Sequence, residues 1–214
     1  VPMTGYDRNA TNFSWVLENL LYFNKSWNAI HTLNLTLLQS AQKARSENLW
    51  VRSQGLLYST ALWYSLSANS VGKPHGYDSG FSETALASYM GRVNYSLMNR
   101  YLFTATGRWD GASQLAEGNK WDFFPSVALA WKMEEESFLQ SLDWINQMKL
   151  RFGWGITGNS AVSPYSTKGS LMDASQVFNN IQVAGAKASV MPNYSLSWEK
   201  TSQINTGLDF SLLN

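Results

Sequence analysis

The sequence predicts an all-β chain, an antiparallel transmembrane β-barrel segment of about seven strands, on three observations. Apolar and polar residues alternate with period two along several runs. The runs reach about ten residues or more, longer than the five or six usual in soluble sheets and suited to a tilted strand crossing a bilayer. The connections between runs are alternately short and long. From Tyr101 to Trp109 the odd positions read Tyr101, Phe103, Ala105, Gly107, Trp109 and the even ones Leu102, Thr104, Thr106, Arg108. From Met148 to Ile156 the phase reverses, with Leu150, Phe152, Trp154 and Ile156 against Lys149, Arg151, Gly153 and Gly155. Successive strand side chains point to opposite faces, so each run has one greasy and one polar face.

The first predicted strand spans Asn12 to Asn24, with Phe13, Trp15, Leu17, Leu21 and Phe23 on one face. After a turn over Lys25–Ala29 the second runs from Ile30 to Arg45, alternating His31, Leu33, Leu35, Leu37 with Thr32, Asn34, Thr36. Ser46–Ser82 is punctuated by glycine, proline and serine and reads as a long loop with room for a small hairpin. The third strand, Glu83–Leu97, turns at Met98–Arg100 into the fourth, which ends near Asp110-Gly111, a pair that reads as turn chemistry. A loop over Ala112–Lys120 leads to the fifth, Phe124–Lys132. Met133–Gln147 breaks the alternation; Glu134, Glu135 and Glu136 precede Phe138, Leu139, Leu142 and Ile145 at a spacing that suits two helical turns. The sixth strand is Met148–Thr157, a second long loop covers Gly158–Ser197, and the last strand is Thr201–Leu212. In a barrel of this kind Lys25–Ala29, Met98–Arg100 and Met133–Gln147 are periplasmic, and Ser46–Ser82, Ala112–Lys120 and Gly158–Ser197 face outward.

Composition agrees. Only 14% of residues are charged, against 14% aromatic, with ten each of Trp, Tyr and Phe, as expected where rings form girdles at two lipid interfaces. Net charge is +1 and no basic run interleaves with aromatics, which excludes nucleic acid as a partner class. Cysteine is absent and no apolar stretch is long enough for a transmembrane helix.

Four blocks carry a family likeness. They are Ser88-Tyr89-Met90-Gly91-Arg92-Val93-Asn94-Tyr95; the run from Tyr101 through Thr106-Gly107-Arg108-Trp109-Asp110-Gly111-Ala112-Ser113; Phe124-Pro125-Ser126-Val127-Ala128-Leu129-Ala130-Trp131-Lys132; and Lys149 through Gly153-Trp154-Gly155-Ile156-Thr157-Gly158-Asn159, with Trp198-Glu199-Lys200-Thr201 later. In this order they resemble the C-terminal half of the barrel of SusC/RagA-type TonB-dependent transporters. The resemblance implies a 22-stranded barrel around an N-terminal plug, in the outer membrane of Bacteroidota-like bacteria. It implies a SusD-like surface lipoprotein over the barrel mouth, energy from TonB–ExbB–ExbD, and import of oligosaccharides or oligopeptides. The plug, the TonB-contacting segment and the last strands of such a barrel have no counterpart here, so residues 1–214 are expected to be a fragment of the barrel domain. Two rivals stay open: another TonB-dependent receptor, for siderophores or cobalamin, and a soluble carbohydrate-binding β-domain.

No catalytic residue, cofactor or metal site is expected. Gly153-Trp154-Gly155-Ile156-Thr157-Gly158 matches a dinucleotide fingerprint, but its glycines lie within a strand rather than opening a helix. His31 and His75 lack partners at metal-ligand spacing, and Glu134–Glu136 reads as a solvated helix start. The acceptor tripeptides at Asn34 and Asn94 fall inside strands. Arg92, Arg108 and Arg151 share the polar phase and are expected in the lumen, paired with plug carboxylates or in contact with substrate; on the lipid face a mid-depth charge would cost about 2–4 kcal/mol. Trp50, Tyr58, Trp63, Tyr64 and Tyr77, in the first long loop, are the candidates for substrate contact, since aromatic rings stack on sugars and also pack peptides; the alternative is that they pack the loop against itself, the lipoprotein or the interface belt.

Overall fold

A computed structural model describes residues 3–61, 63–70, 72–140, 142 and 144–212. Nine strands are present among them: β1 (Thr4–Trp27), β2 (His31–Gln54), β3 (Gly76–Leu97), β4 (Tyr101–Ala112), β5 (Trp121–Lys132), β6 (Ile145–Asn159), β7 (Ser170–Phe178), β8 (Ile181–Val190) and β9 (Glu199–Leu212). One sheet of seven strands runs β1-β2-β3-β4-β5-β6-β9, and β7 pairs with β8 alone. The registers of β3 with β4, β4 with β5, β5 with β6 and β6 with β9 are all antiparallel. The seven expected strands are therefore present, in sequence order across the sheet. No helix among the described residues is long and apolar enough to cross a membrane, which says nothing about strands.

The turns explain the tight reversals. Asn28 and Ala29 have φ of 55° and 52°, Met98 and Asn99 of 53° and 56°, the signature of a type I′ turn, whose twist matches that of the flanking strands. Each is closed by an N–H to carbonyl bond, Ile30 to Trp27 at 3.2 Å and Arg100 to Leu97 at 3.0 Å.

Three expectations are corrected. Strands β2 and β3 continue to Gln54 and back to Gly76, well into the stretch read as loop, because antiparallel pairing persists after the apolar alternation ends. Of the two helical turns expected within Met133–Gln147, the described residues show one 3-10 turn, Met133–Glu135, and hydrogen-bonded turns after it, while Ile145–Gln147 already belongs to β6 and residues 141 and 143 lie outside the described residues. The second long loop holds the β7–β8 hairpin, reversed at Asn179 and Asn180 (φ 46° and 62°); its Ala- and Gly-rich return strand has weak strand propensity and reads as loop.

The chain forms two compact units, Val1–Trp15 with Gln42–Ala85, and Val16–Ala41 with Leu86–Asn214. In the first, the rings of Tyr6 and Trp50 lie 6.0 Å apart, and Lys43 pairs with Glu83 at 2.9 Å. Its connecting loop is organised by Asn69, whose side-chain amide donates to Ser53 Oγ and the Leu66 carbonyl at 2.8 Å and to the Lys73 carbonyl at 3.2 Å. Both Asn69 and Ser53 are buried, so these bonds compensate the lost hydration that would otherwise open the loop.

Candidate functional site

The second unit presents two chemically opposite faces. Registered partners share a face, so Tyr89↔Trp109↔Phe123, Val93↔Ala105↔Val127↔Trp154↔Ile204 and Tyr101↔Trp131↔Leu150↔Leu208 extend one apolar surface across five strands. Its large side chains are exposed: Phe123, Leu129, Phe152, Ile204 and Leu208 among them. So wide an exposed apolar surface on a monomer marks contact with lipid or another apolar partner. Rings gather at both margins. Trp109 and Trp121 lie 5.1 Å apart, with Tyr89 6.1 Å from Trp121, at the long-loop end. Tyr101 and Trp131 at 6.3 Å, and His31 between Trp27 (5.4 Å) and Tyr95 (6.1 Å), mark the short-turn end. From Tyr101 to Trp109 the strand climbs roughly 27 Å, or about 21 Å along the normal at a tilt of about 40°, close to the ~25 Å apolar band of an outer-membrane barrel.

The rings at the short-turn end are tied to the β5–β6 connection. The Tyr101 hydroxyl and the Trp131 indole N–H donate to Glu136 Oε1 at 2.6 and 3.0 Å, and Arg100 Nη1 donates to Oε2 at 3.1 Å. The Tyr101 hydrogen bond first, then that of Trp131 and the charge of Arg100, hold the Glu136 carboxyl below its ordinary 4.5. The acidic run read as a solvated helix start thus includes the residue that fastens two interfacial rings.

The opposite face is polar. Arg92, Arg108 and Arg151 stand on it, in the rows Arg92↔Thr106, Met90↔Arg108↔Phe124 and Ala130↔Arg151↔Gly207. Arg108 donates through Nε to both oxygens of Asp110 at 2.8 Å and through Nη2 to Ser88 Oγ at 3.0 Å. Arg151 pairs with Asp209 at 2.7 Å. Arg92 donates to the Thr106 hydroxyl at 3.1 Å and has no carboxylate partner among the described residues. Two of the three arginines therefore have acidic partners within the wall itself. A cavity of about 580 Å³ lies beside Arg151, with Ala128, Ala130, Gly153 and Gly207 leaving it open.

The aromatic candidates all lie in the first unit. Trp50 belongs to β2 and packs against Tyr6, and Tyr77 belongs to β3, so neither is a loop residue. Trp63 and Tyr64 make a close pair at 4.3 Å, and with Tyr58 and Tyr77 they are exposed.

Sequence reasoning missed a compact cluster at the long-loop end. Ala112, Leu115, Phe124 and Trp198 form the buried core of this otherwise single-layered wall, with Phe124 and Trp198 edge to face at 5.1 Å. Segments far apart in sequence are laced over it: Ala116 N–H to the Leu196 carbonyl at 3.0 Å, Trp198 Nε1 to the Lys120 carbonyl at 2.9 Å, Gln114 to the Ser160 carbonyl at 3.0 Å. Beside it Ser88 is fully buried and Asp110 is 7% exposed, which corrects the reading of Asp110 as turn chemistry: it lies inside β4 as the partner of Arg108. The usable signal was the Arg108-x-Asp110 spacing, which puts both side chains on one face of a strand.

The family model described as "TonB dependent receptor-like, beta-barrel" matches residues 3–214. TonB-dependent receptor P3 of Formosa agariphila is 36% identical over 208 residues, 97% of this chain and 20% of that protein. TonB-dependent receptor SusC of Bacteroides thetaiotaomicron is 42% identical over 140 residues, 62% of this chain and 14% of SusC. The chain thus spans about a fifth of the length of such relatives. The solved structure of the RagAB peptide transporter superimposes with a TM-score of 0.87 at 23% identity, over 98% of this chain and 23% of that one, a likeness of fold. With an antiparallel sheet that is apolar on one face and polar on the other, and a family match over nearly its whole length, the chain belongs to the TonB-dependent receptor-like β-barrel family.

Proposed function

We propose that these residues form part of the wall and outer mouth of an outer-membrane importer of the SusC/RagA type, which moves oligosaccharides or oligopeptides into the periplasm. The observation that carries the reading is the pair of opposed faces: an apolar band bounded by aromatic rings at both margins, backed by a polar face of Arg, Asp, Thr, Asn and Gly. A sheet buried in a soluble core has no use for exposed rings at both margins, whereas a barrel strand requires them at two lipid interfaces. Residue 42%-identity kinship with SusC supports the nutrient-import class.

In this reading the apolar face meets lipid and the polar face lines the lumen. Arg92, with no acidic partner among the described residues, offers its charge to a plug carboxylate, while Arg108 and Arg151 stiffen the wall through Asp110 and Asp209. The exposed Tyr58, Trp63, Tyr64 and Tyr77 supply rings at the mouth for a sugar or peptide held under a SusD-like lipoprotein, and the plug is released through TonB–ExbB–ExbD. The test is to purify the native gene product carrying these residues and measure its intact mass and extraction behaviour. A detergent-extracted outer-membrane species several-fold larger than 24.0 kDa, co-purifying with a lipoprotein, is expected. A water-soluble species near 24.0 kDa would overturn the proposal.

A further inference from the structure

The apolar face of the second unit is interrupted by a groove of about 620 Å³, well inside the ~300–1,000 Å³ range of ligand sites. Its floor is Gly91 and Gly107, registered directly opposite each other on β3 and β4. Leu21 and Leu37 wall it on one side, Trp109 and Phe123 on the other. A Cβ added at Gly91 would meet nothing nearer than Leu37 Cδ2 at 3.6 Å, so the floor is open there, whereas a Cβ on Gly107 would lie 2.9 Å from the Phe123 ring, which closes that side. At the margin where Tyr89 and Trp109 form the long-loop girdle, the groove carries one polar feature, Asn19 and Gln39. Asn19 Nδ2 donates to Gln39 Oε1 at 2.7 Å.

That bond leaves one amide NH₂ and one amide carbonyl without a further side-chain partner among the described residues, and exchanging O for N in both amides leaves the same inventory. At this margin the open donor and acceptor are placed to pair with a polar group at the head of an acyl chain lying in the groove. We infer that the groove holds an acyl chain of an outer-leaflet lipid joined to its headgroup through an amide. The chain fills the space over Gly91, alongside the Phe123 ring, its carbonyl accepts from the free NH₂, and its N–H donates to the free carbonyl. An ester-linked chain offers an acceptor alone and leaves half of the pair unmet. This rests on the barrel reading, since it takes the apolar face to be the lipid face.

The test uses the full-length transporter in phospholipid vesicles containing one of two diazirine-bearing palmitoyl lipids: the chain amide-linked to glucosamine, or the same chain ester-linked in phosphatidylethanolamine. After irradiation, labelled residues are mapped by mass spectrometry, with Phe152 and Leu208 on the same face as internal reference. The amide-linked lipid is expected to label residues 19–21, 37–39, 89–91 and 107–109 about fivefold above the reference, as the extra hydrogen bonds allow. Gly91→Leu, which fills the floor, and the double variant Asn19→Leu with Gln39→Leu, which removes the polar pair, should each bring labelling down to the reference level. Heat-dependent gel mobility shows that each variant has folded. Equal labelling by both lipids, or uniform labelling along the face, overturns the inference while leaving the barrel intact. Cross-links to a second copy from these residues overturn it in favour of a protein contact. No labelling of Phe152, Leu208 or the groove overturns the barrel reading itself.

Discussion

The clearest test of the two-faced wall is to place the same charge on adjacent residues of β4. Ala105 lies four residues from Tyr101 and four from Trp109, at the centre of the apolar band, beside Val93 and Val127. An arginine there is held about 10 Å from either girdle, too deep for an easy exit to water, and costs about 2–4 kcal/mol. Thr104 points to the opposite face, where it lines the cavity beside Arg151 and donates to Asn94 Oδ1 at 2.9 Å. Thr104→Arg loses that hydrogen bond, about 1 kcal/mol, and finds room in the cavity. Ala105→Arg should therefore be less stable than Thr104→Arg by about 1–3 kcal/mol, roughly fivefold to a hundredfold in the folding equilibrium. The assay is guanidinium unfolding of the full-length protein in phospholipid vesicles, read by heat-dependent gel mobility and tryptophan fluorescence. Equal losses, or a larger loss for Thr104→Arg, would refute the assignment of the faces.

Three further outcomes are expected. Met98 has φ of 53°, a left-handed conformation in which the Cβ crowds the backbone carbonyl and which Asn tolerates better; Met98→Asn, which reproduces the Asn179-Asn180 turn, should raise stability by about 0.5–1 kcal/mol in the same unfolding assay. Because the Glu136 carboxyl is held below 4.5, its contribution is fully present above pH 4.5 and fades as pH falls through the depressed value; Glu136→Gln should flatten the pH dependence of the unfolding midpoint in that acid window. Arg108→Leu leaves the mostly buried Asp110 without its cation and should cost about 1–3 kcal/mol, discounted for the partial exposure of Arg108, whereas adding Asp110→Leu should recover part of the loss; a larger loss in the double variant would contradict the pairing.

What was legible in the sequence follows from which forces write themselves into it. The lipid band did so strongly: the odd set of β4 and the even set of β6 fall on one face because Tyr101, Trp131 and Leu150 are register partners, as the alternation required. Where no bilayer constrains the side chains, the backbone still pairs but the pattern fades, and so β2 was read to Arg45 although it runs to Gln54. The same weakness hid β7 and β8, whose side chains are exposed on both faces of an isolated hairpin. The candidate site was legible by phase but not by partner: spacing placed Arg108 and Arg151 on the polar face, yet only the fold brings Ser88 and Asp209 to them across neighbouring strands.

A single-layered wall has no interior of its own, and this explains where the blocks that carry the family likeness meet. Ser88 comes from the first, Arg108, Asp110 and Ala112 from the second, Phe124 from the third, Gly158 and Trp198 from the fourth, and all of them converge at the long-loop end. A Cβ on Gly158 would overlap the Phe124 ring, and a Cβ on Gly111 would lie 2.5 Å from the ring of Trp121, so both positions accept little else. Along the rest of the strands one greasy residue serves as well as another against fluid lipid. At this end, close packing and a partly buried Arg–Asp–Ser network make the side chains answer to one another, and that mutual dependence is what a sequence motif records.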